Sequence, residues 1–191
     1  IEVNPNPTIT HNISGRPHHL KWWDSGGHQP DSNRLQAFID DMERIAKEHY
    51  ALFGVPDWPD YTTVLHLTDT GRGGLEHMNS QTSMMPRSCL FPDHADEYRD
   101  LVSLFSHEYL HQWNVKRLRP KSFLDYDLQS ETHTDLLWWF EGATSWLGDM
   151  MCVRSGAWSE EDWRLDFERK MKRHTANNGM LRESLAESSH D

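Results

Sequence analysis

The amino-acid sequence predicts an α+β domain that is mainly helical. Four segments place apolar residues at the i, i+3, i+4 and i+7 spacing of an amphipathic helix, and they begin near residues 31, 96, 132 and 159. One run, Tyr61–Thr68, is rich in β-branched and aromatic residues and favours a strand. The fold class follows from the excess of helical segments over strand signals.

The composition is that of a globular chain without a membrane-spanning or nucleic-acid-binding surface. A length of 191 residues suits one ordinary domain. The net charge of −11 argues against binding to nucleic acid or to an anionic membrane, because both need clustered Lys and Arg. No apolar run approaches the roughly 20 residues that cross a bilayer. We therefore expect a soluble protein, in a compartment that the sequence leaves open. The distant pair Cys89 and Cys152 is predicted to be two buried thiols.

Residues 1–30 are expected to form a partly irregular lead-in, because they are rich in Pro, Gly, Asn and His. We assign no role to the histidines of this stretch, His11, His18, His19 and His28. The main domain is predicted to begin at residue 31. Its first helix starts at Asp31 or Ser32, which are both suitable N-caps, and stops before Gly54.

The segment 73–80 follows the predicted strand as a short extended stretch. Gly73 and Gly74 open it, and Glu76 lies two residues further on. Glycines beside a strand let another backbone come close, as when a peptide is held against a sheet edge. A simple hairpin turn with a solvated Glu76 explains the same residues, so both interpretations stand on the residues alone.

The predicted helix that begins near Asp96 ends in the motif His107-Glu108-Tyr109-Leu110-His111. In H-E-x-x-H the two histidines lie on one helix face and can share a metal ion, while the glutamate between them reaches a water molecule at that ion. Pro120 blocks further helix. A basic cluster after the motif is expected to be solvated or to pair with carboxylates; it comprises Lys116, Arg117, Arg119 and Lys121.

The next helix is predicted to begin at Thr132 and Asp135, which resemble a capping box with Asp in place of Glu. Glu141 falls on the apolar stripe of this helix, beside Phe140 and Thr144. An unpaired buried charge costs several kcal/mol, so a carboxylate that faces the core needs a cation or a metal ion as its partner. We therefore expect Glu141 to be buried and paired.

These residues together predict one zinc ion per chain. A catalytic zinc site commonly has three protein ligands and one open position, and His107, His111 and Glu141 satisfy that rule. Glu108 would take a proton from the zinc-bound water and return it to a leaving amine. The second ring nitrogen of a histidine ligand is expected to be held by one of two side chains that follow on the next helix, Ser145 or Asp149. A helix with exposed histidines and no metal is the alternative.

Three stretches in this order resemble the glycyl aminopeptidase family of gluzincin zinc metallopeptidases: residues 73–77, 107–120 and 137–142. The likeness extends over about residues 61–191. It implies a thermolysin-like zincin catalytic domain, in which the edge strand of a small mixed sheet lines the cleft. In related aminopeptidases the glutamate that matches Glu76 binds the free α-amino group of the substrate. The resemblance thus assigns substrate binding to Glu76 and to the two glycines before it, Gly73 and Gly74.

The resemblance also implies that residues 31–191 are a catalytic domain that is truncated at its C-terminus. A PDZ domain usually follows this domain in the family, and an N-terminal β domain is also expected in the full-length protein. The Tyr or His that polarises the scissile carbonyl in the wider clan is expected beyond residue 191, because Tyr126 and His174 lack a supporting motif. Ala143 and Trp146 depart from the family pattern at packing positions, where we expect altered shape and a retained zinc ion.

The predicted function is that of a zinc aminopeptidase that acts on peptides with a free N-terminus. A preference for N-terminal glycine rests on the resemblance alone. One alternative is a zinc endopeptidase, in which Glu76 contacts the peptide without selecting a free amine. The other is a metal-binding but inactive peptide-binding fragment, because segments needed for turnover would be missing from a truncated domain.

Overall fold

The computed structural model describes residues 5–125, 127 and 129–190, and this part of the chain is α+β. The strands are β1 (Ile9–Ile13), β2 (Arg16–Asp24), β3 (Tyr61–Thr68), β4 (Gly73–Glu76) and β5 (Ser80–Pro86). The helices are α1 (Ser32–Phe53), α2 (Ala95–Leu110), α3 (Thr144–Arg154) and α4 (Glu160–Ala176). A π-helical segment, Trp138–Ala143, leads directly into α3.

Helix α1 has the limits that its sequence predicts. The side chain of Asp31 accepts a hydrogen bond from the backbone N–H of Arg34, which satisfies a free donor of the first turn. Gly54, with a φ of 81°, ends the helix in a conformation that favours glycine. Phe38 on the buried face packs edge-on against Phe105 of α2, with ring centroids 6.0 Å apart. This contact joins the buried faces of α1 and α2.

The five strands form one small mixed sheet in the order β1-β2-β3-β5-β4. β3 lies at its centre and pairs in parallel with both β2 and β5. Its alternating burial places Tyr61, Leu65 and Leu67 in the core. Because β4 pairs only with β5 among the described strands, it is an edge strand. β4 contacts α2, with Gly74 beside Glu108.

Residues 1–30 differ from the irregular lead-in that their composition predicts, because most of residues 9–24 form β1 and β2. His18, Leu20 and Trp22 alternate with more exposed residues and are buried against the helices. Histidine and tryptophan weaken the hydrophobic signal of this alternation, so the period of two is easy to miss in the sequence. Parallel pairing of β2 with β3, such as His18 with Tyr61, then completes the strand.

The structure also bears on the two cysteines and on membrane-spanning helices. Cys89 and Cys152 are both buried and free, as the sequence predicts. No helix in the described part of the chain has the length and apolar character needed to cross a membrane.

Helices α2 and α3 lie in very close contact at Gly148. A Cβ atom on this glycine would lie 3.2 Å from the backbone N and 3.3 Å from the Cα of His107. The hydroxyl of Ser106 donates a hydrogen bond of 2.7 Å to the carbonyl oxygen of Gly148. His49 of α1 reaches the same hydroxyl at 3.1 Å. The contact fixes the start of the H-E-x-x-H motif against α3.

A buried polar cluster supports α2 from the sheet side. The Tyr109 hydroxyl lies 2.8 Å from Nε2 of His18 and donates a hydrogen bond of 2.7 Å to the hydroxyl of Tyr50. The ring of Tyr61 packs edge-on against Tyr109, at 4.7 Å between centroids. Burial is the main cause that lowers the pKa of His18 from 6.5 to about 4. His18 is therefore a neutral group that ties β2 to the motif helix.

The lowered pKa of His18 predicts that the folded state loses stability in acid. Between pH 6.5 and about 4 the unfolded chain binds a proton at His18 that the folded chain does not, so stability falls as the pH falls. The full effect is on the order of 3 kcal/mol, at about 1.4 kcal/mol for each unit of pKa. In His18→Gln, which keeps a polar partner for Tyr109, the free energy of unfolding should decline less between pH 7 and 4 than in the wild type. Denaturant unfolding at several pH values measures this, with the exposed His77→Gln as the matched control. Parallel pH curves for wild type and His18→Gln would contradict the prediction.

Candidate metal centre

The two histidines of the motif meet at the end of α2. His107 lies in the last turn, and His111 caps the helix with αR backbone angles. Their Nε2 atoms are 3.0 Å apart, so the imidazoles converge on one point as the four-residue spacing predicts. The side chain of His111 is 1% exposed, and that of His107 is 17% exposed. The centre thus opens on the His107 side.

Glu141 completes this group. Its Oε2 lies 3.2 Å from Nε2 of His107, and its Oε1 lies 3.8 Å from Nε2 of His111. One donor atom from each of the three side chains lies within 4.8 Å of the others. The hydrogen bond with His107 is the main cause that lowers the pKa of Glu141. The carboxylate is therefore ionised where the histidines converge.

The expected burial of Glu141 is wrong, since its side chain is 55% exposed. The stripe of the sequence analysis assumes 3.6 residues per turn, whereas Trp138–Ala143 is π-helical and takes more residues per turn. Phe140 and Thr144 keep their buried positions, and Glu141 turns away from them towards α2. A π-helical segment at this point thus presents the carboxylate to the cleft.

The predicted capping box at Thr132 and Asp135 is also wrong. The backbone has no helical structure at Thr132, and the first helical hydrogen bonds of this region run to the carbonyl of Leu136. Thr134 provides the hydrogen bond before the first turn instead: its hydroxyl accepts one of 3.3 Å from the N–H of Leu136. The helix therefore starts later than the Thr and Asp spacing predicts.

The second ring nitrogen of each histidine has a partner. Nδ1 of His111 lies 2.7 Å from the carbonyl oxygen of Asn114, which can only accept, so His111 donates from Nδ1 and directs a lone pair of Nε2 towards Glu141. Nδ1 of His107 lies 3.2 Å from the hydroxyl of Ser145, one of the two side chains proposed for this role. Asp149 instead accepts a hydrogen bond of 2.8 Å from Ser103.

The donor set fits a divalent metal ion. Burial, followed by the neighbouring His107, lowers the pKa of His111, which keeps its imidazole neutral as metal binding requires. Two imidazole nitrogens and one ionised carboxylate leave a further position free on the exposed side. His107, His111 and Glu141 are the residues that would hold the ion.

Glu108 lies in the wall of the centre and is the buried carboxylate of this region, at 4% exposure. A Cβ atom on Gly74 of β4 would lie 2.1 Å from its Oε1, so the edge strand accommodates Glu108 only because residue 74 has no side chain. Nothing lies within 4 Å of the corresponding position on Gly73. Burial, helped by Glu76 and Glu141, raises the pKa of Glu108 to about 7.

Glu76 is the last residue of β4 and lies close to Glu108. Its Oε1 accepts a hydrogen bond of 2.9 Å from Nζ of Lys116, and both side chains are less than a quarter exposed, at 21% and 24%. Glu76, Glu108 and His111 form a second group whose donor atoms lie within 4.8 Å of one another. The hairpin of the alternative interpretation is present, because β4 and β5 pair antiparallel through a short turn, but Glu76 is largely buried and paired instead of solvated.

The role of Lys116 beside Glu76 cannot be read from any local pattern in the sequence. Lys116 belongs to the basic cluster, and the expectation that this cluster pairs with carboxylates is confirmed for Lys116 and for Arg117, which pairs with Asp57. The specific partner Glu76 lies 40 residues away in sequence and follows only from the fold. Tyr126 lies outside the described residues, and His174 is exposed on α4.

A cavity of about 480 Å³ opens beside His107 and Glu108. Gly73, Gly74 and Ser145 line the side next to the centre. Its far side is formed by basic residues of the β3–β4 turn and of α4: Arg72, Arg169, Lys170 and Arg173. The cavity extends from the metal-binding group along the edge strand, in the direction away from Glu76.

Comparisons with known proteins agree with a peptidase. Residues 100–191 match the family described as M61 glycyl aminopeptidase. A solved structure of an aminopeptidase N family protein from Idiomarina loihiensis superposes with a TM-score of 0.86 and 32% identity, over 96% of this chain and 31% of that chain. The chain thus spans about a third of that protein. No curated protein gives a significant match.

The fold and the site thus resemble those of proteins described as aminopeptidases. Residues 100–191 match the M61 glycyl aminopeptidase family, which the resemblance of the three motifs also indicates.

The two overlapping groups predict different ligands for the ion, and substitution separates them. Glu141→Gln should lower the affinity for Zn²⁺ by more than the roughly 10- to 100-fold that outer-shell changes cost, because it removes a direct ligand. Glu76→Gln should leave the affinity unchanged. Titration with a competing chelator, followed by metal analysis of the dialysed proteins, measures both. The reverse pattern would assign the ion to Glu76, Glu108 and His111.

Proposed function

We propose that this chain forms the zinc-dependent catalytic centre of an aminopeptidase with a thermolysin-like arrangement. The observation that carries the proposal is the convergence of His107, His111 and Glu141, with Glu108 beside them against the edge strand. The family description adds a preference for N-terminal glycine, which we include in the proposal. The activity is proposed for the whole protein, because the chain spans 31% of its solved relative.

Zinc is the proposed ion, because two neutral imidazoles, one carboxylate and an open position are the donors of many catalytic zinc sites. When bound there, it would supply a Lewis acid that polarises a water molecule and the substrate carbonyl. Asn114 and Ser145 hold the outer nitrogens of the two histidines and so keep the inner nitrogens directed at the ion.

Glu108 is the proposed general base and acid. It would take a proton from the attacking water at its carboxylate and pass it to the amine that leaves. Gly74 lets the carboxylate lie directly beside the strand along which a peptide would bind.

Glu76 is the proposed partner of the substrate's α-amino group. It lies on the same strand as Gly73 and Gly74, two residues beyond the glycine that contacts Glu108. The free edge of β4 can hydrogen-bond an extended peptide in the manner of an added strand. An amine held at Glu76 would then place the first peptide bond near Glu108, which is the geometry of an exopeptidase.

One observation favours a second candidate, an endopeptidase. Lys116 already supplies an ammonium group to Oε1 of Glu76. If this pair persists with substrate bound, Glu76 needs no second cation and a peptide without a free amine can occupy the strand. Under the aminopeptidase proposal the amine binds the other carboxylate oxygen.

The test of the function compares a glycyl peptide that has a free N-terminus with its N-acetylated form. The free peptide should be cleaved after its first residue, and the acetylated form should lose most of the rate. Glu76→Gln should lower kcat/KM for the free peptide by about 10-fold or more, as for loss of a hydrogen bond to a charged group. Equal cleavage of both peptides identifies the endopeptidase. Cleavage of neither, in a protein loaded with zinc, identifies the inactive peptide-binding fragment.

A second prediction concerns Glu108. Glu108→Gln should keep the ion yet lose roughly 10²- to 10⁴-fold in kcat, the usual contribution of a general base. Gly74→Ala should reduce kcat in the same direction with less severity, because the added methyl displaces the Glu108 carboxylate. Gly73→Ala is the comparison on the same strand: nothing in the protein lies within 4 Å of its added methyl, so a loss there should appear in KM through peptide binding and leave kcat unchanged. Steady-state kinetics with metal analysis decide the matter, and an equal loss in the two alanine variants would disprove the role of Gly74.

A further inference from the structure

The cavity beside His107 and Glu108 is unusually basic for this chain. The protein carries a net charge of −11, yet the cavity is lined by four cationic side chains against two carboxylates, Asp100 and Glu108. They come from two places, Arg72 before β4 and one face of α4, where Arg169, Lys170 and Arg173 lie within two turns. Such clustering suits an anionic ligand group.

Two of these cations are already neutralised by neighbouring carboxylates. Lys170 pairs with Asp149 and with Asp166, the latter at 2.8 Å. Arg169 pairs with Asp166 and lies 2.7 Å from Asp100. These contacts hold the basic face of α4 against α2 and α3.

The other two cations, Arg72 and Arg173, are less fully paired with carboxylates. Among the carboxylates of the described residues, Arg72 pairs with Asp100 alone, at 3.9 Å, and it shares that carboxylate with Arg169. Among the residues that the structure describes, no carboxylate forms an ion pair with Arg173. A guanidinium group presents two parallel N–H donors that match the two oxygens of a carboxylate. Arg72 and Arg173 can therefore supply such a group with partners.

The position of the cavity indicates which part of a substrate would reach it. This step rests on the proposed function, in which the substrate amine is held at Glu76. From Glu76 to Gly73 the strand covers about 10 Å, at roughly 3.3 Å for each residue. A peptide that follows the strand passes Glu108 at Gly74 and brings its second residue to Gly73 and Arg72.

We propose that this cavity binds a carboxylate on the leaving part of the substrate, through Arg72 and Arg173. The preferred substrates are then dipeptides and other short peptides whose terminal carboxylate lies just beyond the cleaved bond, or peptides with an acidic second residue. Both sources present a carboxylate beyond the cleaved bond, although an acidic side chain holds it at least one methylene further from the backbone than the terminal carboxylate.

Equilibrium binding tests the proposal without turnover. Glu108→Gln protein is titrated calorimetrically with Gly-Ala, with Gly-Ala amide, and with Gly-Asp amide. Gly-Ala should bind about 10-fold or more tightly than its amide, the effect of a paired and partly desolvated charge. Arg72→Gln or Arg173→Gln, placed in the same background, should remove most of that difference and leave the affinity for Gly-Ala amide unchanged. Tight binding of Gly-Asp amide shows that a side-chain carboxylate suffices, whereas weak binding restricts the site to a terminal carboxylate.

Controls separate this inference from the proposed function. Arg164→Gln lies on the same helix and pairs with Glu161 outside the cavity, so it should keep the preference for the free carboxylate. N-acetyl-Gly-Ala and its amide test the cavity without the amine: a carboxylate preference that persists there supports the cavity even if the aminopeptidase proposal fails. Equal binding of Gly-Ala and its amide, undetectable binding of Gly-Ala at millimolar concentration, or equal loss for acid and amide in the arginine variants would overturn the inference.

Discussion

The approach of α3 to α2 at Gly148 is the contact on which the centre depends. A Cβ atom on residue 148 would lie 3.2 Å from the backbone nitrogen of His107, so a side chain there would push the two helices apart by a few tenths of an ångström. The same approach brings Ser145 to Nδ1 of His107 and Glu141 to its Nε2. Gly74 plays the equivalent part on the sheet side, where Glu108 occupies the space of an absent side chain. Two close backbone approaches thus set the positions of four polar side chains.

Electrostatics explain why this arrangement needs partners. Glu76, Glu108 and Glu141 lie around two imidazoles, and their mutual repulsion adds to burial in raising the pKa of Glu108. Lys116 offsets one of these charges from the strand side. A divalent ion would offset another at the histidines, where the donor atoms of His107, His111 and Glu141 converge. The basic cavity then lies beyond this acidic group, so a substrate would meet charges of opposite sign at its two ends.

The sequence predicted the parts of the centre that depend on short-range periodicity. The four-residue spacing of His107 and His111 specifies their convergence wherever the helix continues. Glu141 was placed in the same group, but its burial was wrong because a π-helical segment does not follow the period of 3.6. The strands in residues 9–24 were missed because His18 and Trp22 hide an alternation that only pairing with β3 reveals. Contacts such as Lys116 with Glu76, 40 residues apart, depend on the tertiary fold and leave no local pattern.

The unequal exposure of the ligands gives the centre a fixed side and a movable side. His111 is 1% exposed and bonded to the backbone of Asn114, whereas Glu141 is 55% exposed. An ion held by these three side chains would lose the exposed glutamate more readily than the two imidazoles, because the glutamate is the ligand that is free to rotate. Its exchange with a chelator would then proceed through the side-chain torsions of Glu141, while the imidazoles kept their positions for the next ion.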